Sequence, residues 1–253
     1  MIEPKISIIT VSYNAVSTIE ETILSVIKQS YVNIEYIIID GGSTDGTLDI
    51  IKKYQSKISY WVSEHDNGIY DAMNKGIAYA TGDWIYFLGA DDLLVRDIIN
   101  KVYPYLNLKQ GIVYGNVYMI GKQKKYDGKF SSLMLVTRNI PHQATFYSKK
   151  ICCNYSYNLE YVYLADYYLN LQCWKDPNIV FKYIPLTIAI YNDTSVSSVE
   201  IDRCFESRRG RLMLHNLPIW TAPYILYRRL RHIIKIILLN KCCLLYTSPS
   251  PRD

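Results

Sequence analysis

A Rossmann-like α/β fold with a mostly parallel central sheet is the architecture this sequence predicts, and three observations predict it. Short apolar, β-branched runs at 6–11, 36–39, 60–62 and 84–88 read as strands buried on both faces. Segments with apolar residues at helical spacing alternate with them, the pattern of parallel strands joined by helical crossovers. The chain has 253 residues, 49% hydrophobic and 20% charged, which suits one α/β domain with a helical appendage. That composition excludes a disordered, collagen-like or multi-pass membrane chain.

The elements follow in order. After the first strand, Ser17-Thr18-Ile19-Glu20 has the form of a capping box, and Ile19, Ile23, Val26 and Ile27 continue it at helical spacing. The second strand ends in the turn cluster Asp40 to Gly46, followed by a helix with Leu48, Ile51 and Tyr54 inward. The third leads through the loop 64–68 to a helix over 69–80, with Ile69, Met73, Ile77 and Ala80 on one side. The fourth runs straight into Gly89-Ala90-Asp91-Asp92. Beyond residue 110 the pattern becomes α+β. Residues 112–119 and 122–129 predict a hairpin about Gly121, 144–147 a strand, 165–173 a short helix, and 179–191 one or two strands. The expected organisation is a main domain over 1–200, divided into halves 1–110 and 111–200. A basic helical arm over 201–243 follows, then a disordered or non-native tail over 244–253.

Charge is segregated along the chain. Residues 203–253 carry ten Lys and Arg against Glu206 and Asp253, a net of +8, so the first 202 residues carry −3 of the overall +5. A mildly acidic body argues against a general nucleic-acid binder. Within the arm, Leu226, Leu230, Ile233 and Ile237 fall on one helical side and Arg228, Arg231 and Lys235 on another. That pattern fits either a helix docked on its own domain or one lying on an anionic membrane surface. The six cysteines form no C-x-x-C pair and no zinc-type spacing with His, which reads as reduced thiols in a cytosolic protein. No signal peptide and no run of about 20 apolar residues is evident, so the expected location is cytoplasmic, peripheral on the inner face of the membrane.

Ligands of open parallel sheets bind beyond the carboxyl ends of the strands. Three such ends here are polar: Ser12-Tyr13-Asn14, Asp40, and Asp91-Asp92. Adjacent carboxylates repel unless a cation lies between them, and oxygen ligands of this kind suit Mg²⁺ or Mn²⁺. The plainer reading of Asp92 is the cap of a helix over 93–102. At the end of the first strand the sequence runs Thr10-Val11-Ser12-Tyr13-Asn14-Ala15, without the glycines that a dinucleotide pyrophosphate requires, which argues against an NAD or FAD oxidoreductase. Tyr13 offers a ring for stacking on a base.

Five motifs now stand in order: 6–14, ISIITVSYN; 39–47, IDGGSTDGT; 66–76, DNGIYDAMNKG; 80–83, ATGD; and 87–92, FLGADD. In this they resemble the glycosyltransferases of family 2, of the type that assembles bacterial cell-surface polysaccharide. Pro141-His142-Gln143 and Leu164-Ala165-Asp166 extend the likeness. The resemblance implies a GT-A fold, a nucleotide-sugar donor (a UDP-sugar expected), Mn²⁺ or Mg²⁺, and a saccharide or lipid-linked acceptor. It implies that Val11 and Tyr13 line the base pocket, and that Asp40 and Gly41 lie near base and ribose. Asp66, Asn67 and Asn74 would line the nucleotide side, and Asp91 and Asp92 would hold the metal against the diphosphate. Asp166 would be the general base of an inverting transfer. His142 would face the sugar or acceptor, and residues 191–195 would close over the diphosphate. Gly89 departs from the pattern, because many members carry a further Asp there. That departure keeps a second reading open, a non-catalytic nucleotide-sugar or glycan-binding relative.

Overall fold

The computed structural model describes residues 3–194 and 200–231. Strand β1 (Ile6–Ser12) is buried at every position and lies between β2 (Ile34–Asp40) and β4 (Trp84–Gly89), parallel to both. β3 (Tyr60–Ser63) adds in parallel to the outer edge of β2. Successive side chains point to opposite faces of a strand. Ile6 and Ile8 therefore enter one core with Ile19, Ile23 and Val26 of α1 (Ile19–Ile27) and Ile51 of α2 (Thr47–Lys53). Ile9 and Val11 enter the other with Tyr70, Ala72 and Met73 of α3 (Ile69–Tyr79). Helices on both faces explain why the strands read as continuous apolar runs.

The second half extends the same sheet. Its elements are β5 (Leu93–Leu94), α4 (Ile98–Val102), β6 (Gly111–Met119), β7 (Lys124–Tyr126), α5 (Ser132–Leu135), β8 (Thr145–Ser148), α6 (Lys149–Asn154), α7 (Ala165–Lys175), β9 (Val180–Tyr191) and α8 (Arg203–Asn216). The order across the sheet is β3-β2-β1-β4-β8-β6-β9-β5, with β7 on β6. The first four strands are parallel. β8 is antiparallel to both β4 and β6, β9 is parallel to β6, and β5 is antiparallel to β9. The β5–β9 pairing joins Leu93 to Ile190, so the end of β9 lies beside Asp91 and Asp92.

Several local expectations are corrected. The capping box does not form: no side chain caps α1, and Glu20 instead accepts from Lys53 Nζ and Tyr54 OH, each at 2.7 Å. Asp92 starts no helix, because Leu93 and Leu94 pair as a strand and α4 begins only at Ile98. Of the one or two strands expected over 179–191, the chain forms one, Val180–Tyr191, irregular opposite Asn116. Residue 200 does not divide two cores: Phe205, Met213, Leu217 and Ile225 are buried in the same cluster as α3 and α7, and the Arg209 guanidinium lies 5.7 Å from the Tyr167 ring. In the last helical stretch, 222–231, Ile225 is buried while Leu226 and Leu230 face solvent. Ile233, Lys235, Ile237 and the tail over 244–253 lie outside the described residues. Among the described residues no helix is long and apolar enough to cross a membrane.

Candidate active site

The carboxyl ends of β1, β2 and β4 open into a cavity of about 670 Å³, within the range of small-molecule sites. Val11, Tyr13, Asn14, Gly41, Asp66 and Asp91 are among its lining residues. Tyr13 is 67% exposed, so its ring is available to a flat ligand. Asp40 lies beneath the cavity. Its Oδ1 accepts from Ser12 Oγ (2.9 Å) and Ser43 Oγ (2.6 Å), and its Oδ2 from Gly42 N (3.1 Å), Ser43 N (2.8 Å) and Ser63 Oγ (2.7 Å). Burial works to raise its pKa, but these bonds outweigh burial and hold the carboxyl below its ordinary value. Asp40 thus fixes the loop that presents Gly41.

The acidic pair is asymmetric. Asp91 lines the cavity, whereas Asp92 is buried behind it. Asn192, at the end of β9, ties them together: its Nδ2 donates to Asp91 Oδ2 (3.1 Å) and its backbone N–H to Asp92 Oδ1 (2.9 Å). Burial raises the pKa of Asp91. Burial first, then the charge of Asp91, push Asp92 up to about 6. The pair is therefore short of positive charge, and a divalent cation would relieve that. Among the described residues no group of three or more His, Cys, Asp and Glu converges. A cation here would accordingly complete its shell with substrate oxygens and water, as Mg²⁺ and Mn²⁺ commonly do. The residues fit such an ion. Gly89 fits too: a Cβ there would lie 2.7 Å from Asp92 Oδ2 and 3.1 Å from Asp91 Oδ1, so the carboxylates fill the space a side chain would need.

A second cavity of about 270 Å³ adjoins the first, with Ile69 lining both. Tyr70, Lys122, Tyr126, His142, Tyr163 and Asp166 line it. Asp166 sits in the first turn of α7, where the helix dipole favours an anion, and it is not the cap: Leu164 holds that position. Its Oδ1 accepts from Tyr70 OH (3.0 Å) and Tyr167 N (2.7 Å). Its Oδ2 lies 3.2 Å from His142 Nδ1. An ionised carboxylate only accepts, so the Nδ1–H form of the ring donates to it. The preceding backbone is pinned by buried Asp202, whose Oδ2 accepts from Tyr163 N (3.0 Å) and Leu164 N (3.2 Å) while its Oδ1 caps α8 at Phe205 N (2.9 Å).

Of the residues expected from sequence, Val11, Tyr13, Gly41, Asp66 and Asp91 meet at the larger cavity, and His142 and Asp166 at the smaller. Asn67 and Asn74 line neither. Asn67 bonds to Asp71 Oδ2 through its backbone N (2.9 Å) and its Nδ2 (3.3 Å). Asn74 exchanges two bonds with the Tyr157 backbone, at 2.9 and 3.0 Å. Both carry scaffold contacts, as Asp40 does. Tyr70 and Asp202 were not anticipated as site residues. Tyr70 lies inside a quoted motif, but it is one of 25 tyrosines, and Asp202 reads locally as nothing more than a helix cap.

Comparison with known proteins gives the family and the fold. The model of "Glycosyl transferase family 2" matches residues 7–158. A "PGL/p-HBAD biosynthesis glycosyltransferase" of Mycobacterium bovis is 35% identical over 217 residues, covering 82% of this chain and 85% of the relative. The Escherichia coli "UDP-Glc:alpha-D-GlcNAc-diphosphoundecaprenol beta-1,3-glucosyltransferase WfgD" is 32% identical over 183 residues, covering 69% of this chain and 71% of the relative. Among solved structures, S. aureus TarS 1-349 in complex with UDP-GlcNAc superposes with a TM-score of 0.67 at 16% identity, over 84% of this chain and 66% of that one. A mannosyltransferase from Pyrobaculum calidifontis, in complex with GDP-Man and Mn²⁺, gives 0.62 at 15% identity, over 88% and 68%. The chain thus spans about two thirds of each of these two structures, and the likeness to them is one of fold.

Proposed function

The chain belongs to glycosyltransferase family 2, and we propose that it is an inverting, metal-dependent enzyme moving a hexosyl or N-acetylhexosaminyl group from a UDP-sugar to a hydroxyl of a saccharide or lipid-linked acceptor, in cell-surface polysaccharide synthesis. The observation that carries this reading is the pair of adjoining cavities sharing Ile69, one ending at Asp91 and the other at Asp166. The nucleotide is chosen from the relatives: WfgD is named for UDP-Glc and TarS has been solved with UDP-GlcNAc. WfgD is also named for a lipid diphosphate acceptor, which supports the lipid-linked class.

In this reading the larger cavity binds the donor, with the base against Tyr13 and Val11 and the diphosphate toward Asp91. Asp91, with Asp92 behind it, would hold Mn²⁺ or Mg²⁺. When bound, the ion supplies positive charge to the departing diphosphate. The acceptor hydroxyl enters the smaller cavity. Asp166 Oδ2 takes its proton as the oxygen attacks the anomeric carbon and the bond to the nucleoside diphosphate breaks. One displacement inverts the centre. An ionised carboxylate is already the base. His142 holds the second carboxylate oxygen in place from its Nδ1. Gly89 lends no support to a non-catalytic reading, because its missing side chain makes room for the acidic pair.

The arm supports a membrane-surface location. Ile219 is 82% and Trp220 59% exposed, next to the exposed Leu226 and Leu230 and the basic Arg228, Arg229 and Arg231. The site itself is tested by a thermal-shift comparison of UDP-, GDP- and dTDP-sugars with Mn²⁺ or EDTA. A ligand of the native state raises the midpoint by mass action. The expected result is a shift with a UDP-sugar and Mn²⁺ that is much reduced in EDTA. No shift with any nucleotide sugar, or equal shifts in EDTA and Mn²⁺, would contradict the assignment.

A further inference from the structure

The Tyr70 hydroxyl carries one hydrogen and faces two acceptors, Asp166 Oδ1 at 3.0 Å and the Tyr163 carbonyl at 2.9 Å. Tyr163 lies just before α7 and Asp166 lies in its first turn. The Tyr70 ring is buried and packs against Tyr157 at a centroid distance of 5.1 Å, so the hydroxyl is held where it is. The residues just before it serve the other cavity: Asp66 and Gly68 line the larger one, and Ile69 is the shared wall. A stretch of five residues therefore runs from the donor side to the carboxylate on the acceptor side.

We propose that Tyr70 is a positioning residue for the base. With the Tyr167 N–H it occupies Oδ1 of Asp166, leaving Oδ2, beside His142, as the oxygen that meets the acceptor hydroxyl. It also ties that orientation to the segment 66–69 at the donor cavity. When Oδ2 takes the acceptor's proton and Oδ1 becomes a weaker acceptor, the same phenolic hydrogen can turn to the Tyr163 carbonyl. The hydroxyl thus has a partner before and after proton transfer. The inference rests on the reading of Asp166 as the base.

The test is Tyr70→Phe, which removes the hydroxyl and keeps the packing. A hydrogen bond to a charged group is a strong one, so kcat should fall roughly ten- to a hundredfold. Donor affinity and acceptor KM should stay within about twofold, because Tyr70 acts through Asp166. A carboxylate that has lost a donor holds its proton more tightly, so the acid limb of kcat/KM, measured at saturating Mn²⁺ so that Asp91 and Asp92 stay ionised, should move to higher pH. Among the described residues, His142 is beside Asp166, Lys122 and Tyr163 line the same cavity, and at longer range lie Tyr126, Tyr147 and Tyr157, whose hydroxyls burial keeps neutral. His142→Gln therefore separates the imidazole's contribution to that limb. A second variant carries 3,5-difluorotyrosine at position 70. It keeps the hydroxyl, donates more strongly, and should move the limb the opposite way, which decides the matter if the Phe variant does not fold. An unmoved limb with unchanged kcat in the folded Phe variant, or an unmoved limb in the fluorinated one, overturns the proposal. If Asp166→Asn is inactive while Tyr70→Phe behaves as wild type, Tyr70 alone is misassigned. If Asp166→Asn retains turnover, the reading of the base itself fails.

Discussion

Asp92 holds the clearest pH signature at the scale of single residues. Its pKa of about 6 in the folded protein lies above the ordinary 3.8. The folded state thus binds more protons than the unfolded state between about pH 4 and 6. The group's contribution to stability is full below that window and is lost as pH rises through 6. A divalent cation at the pair cancels the loss. The melting-point gain on adding Mn²⁺ should therefore be larger at pH 7.5 than at pH 5, and a gain that shrinks with rising pH would contradict metal binding at this pair. Asp91→Asn should abolish the gain. Either Asp→Asn change should cut turnover by at least about 100-fold, since metal stabilisation of a leaving group is worth several kcal/mol. Asp91 and Asp166 are legible in sequence because each follows a recognisable apolar or motif context. Tyr70 and Asp202 are not, because their partners lie 96 and 39 residues away.

Among the elements, α3 is the one that joins scaffold to site. Gly76 lets it press onto β1: a Cβ there would lie 2.5 Å from Ile9 Cγ2. Gly76→Ala should destabilise by about 1–3 kcal/mol through overpacking, despite alanine's better helix propensity, as read from the denaturant midpoint. An unchanged or raised midpoint would show that the two elements have slack. Asp202→Asn removes an acceptor shared by two N–H groups and should cost about 1–3 kcal/mol. It should also slow transfer more than it weakens donor binding, because the freed backbone leads to Asp166. The parallel strands were legible from their doubly buried composition. β5 was not, because two leucines pair with Ile190 and Ala189 almost a hundred residues on, and no local pattern announces that. The capping box failed for the same kind of reason, with Glu20 claimed by Lys53 and Tyr54 of a neighbouring segment.

Across the whole molecule, charge and core are arranged differently. Basic charge gathers after residue 203, yet Phe205, Met213, Leu217 and Ile225 belong to the main core. Removing the chain from about residue 217 would open that core, so the membrane reading needs surface substitutions instead. Full-length protein should bind anionic vesicles in a salt-sensitive way, at about 1 kcal/mol per basic residue near the surface. Ile219→Ser with Trp220→Ser, Leu226→Ser and Leu230→Ser should weaken that binding without lowering donor affinity. Equal flotation of both proteins would mean that this face does not touch the membrane. The central claim is that Asp166 is the base of sugar transfer, and the most direct measurement is the single-turnover transfer rate of Asp166→Asn with donor saturating and its affinity measured alongside. The account predicts a rate lower by roughly 10²–10⁴ with donor affinity and melting point preserved; a folded variant that transfers sugar at the wild-type rate would contradict it.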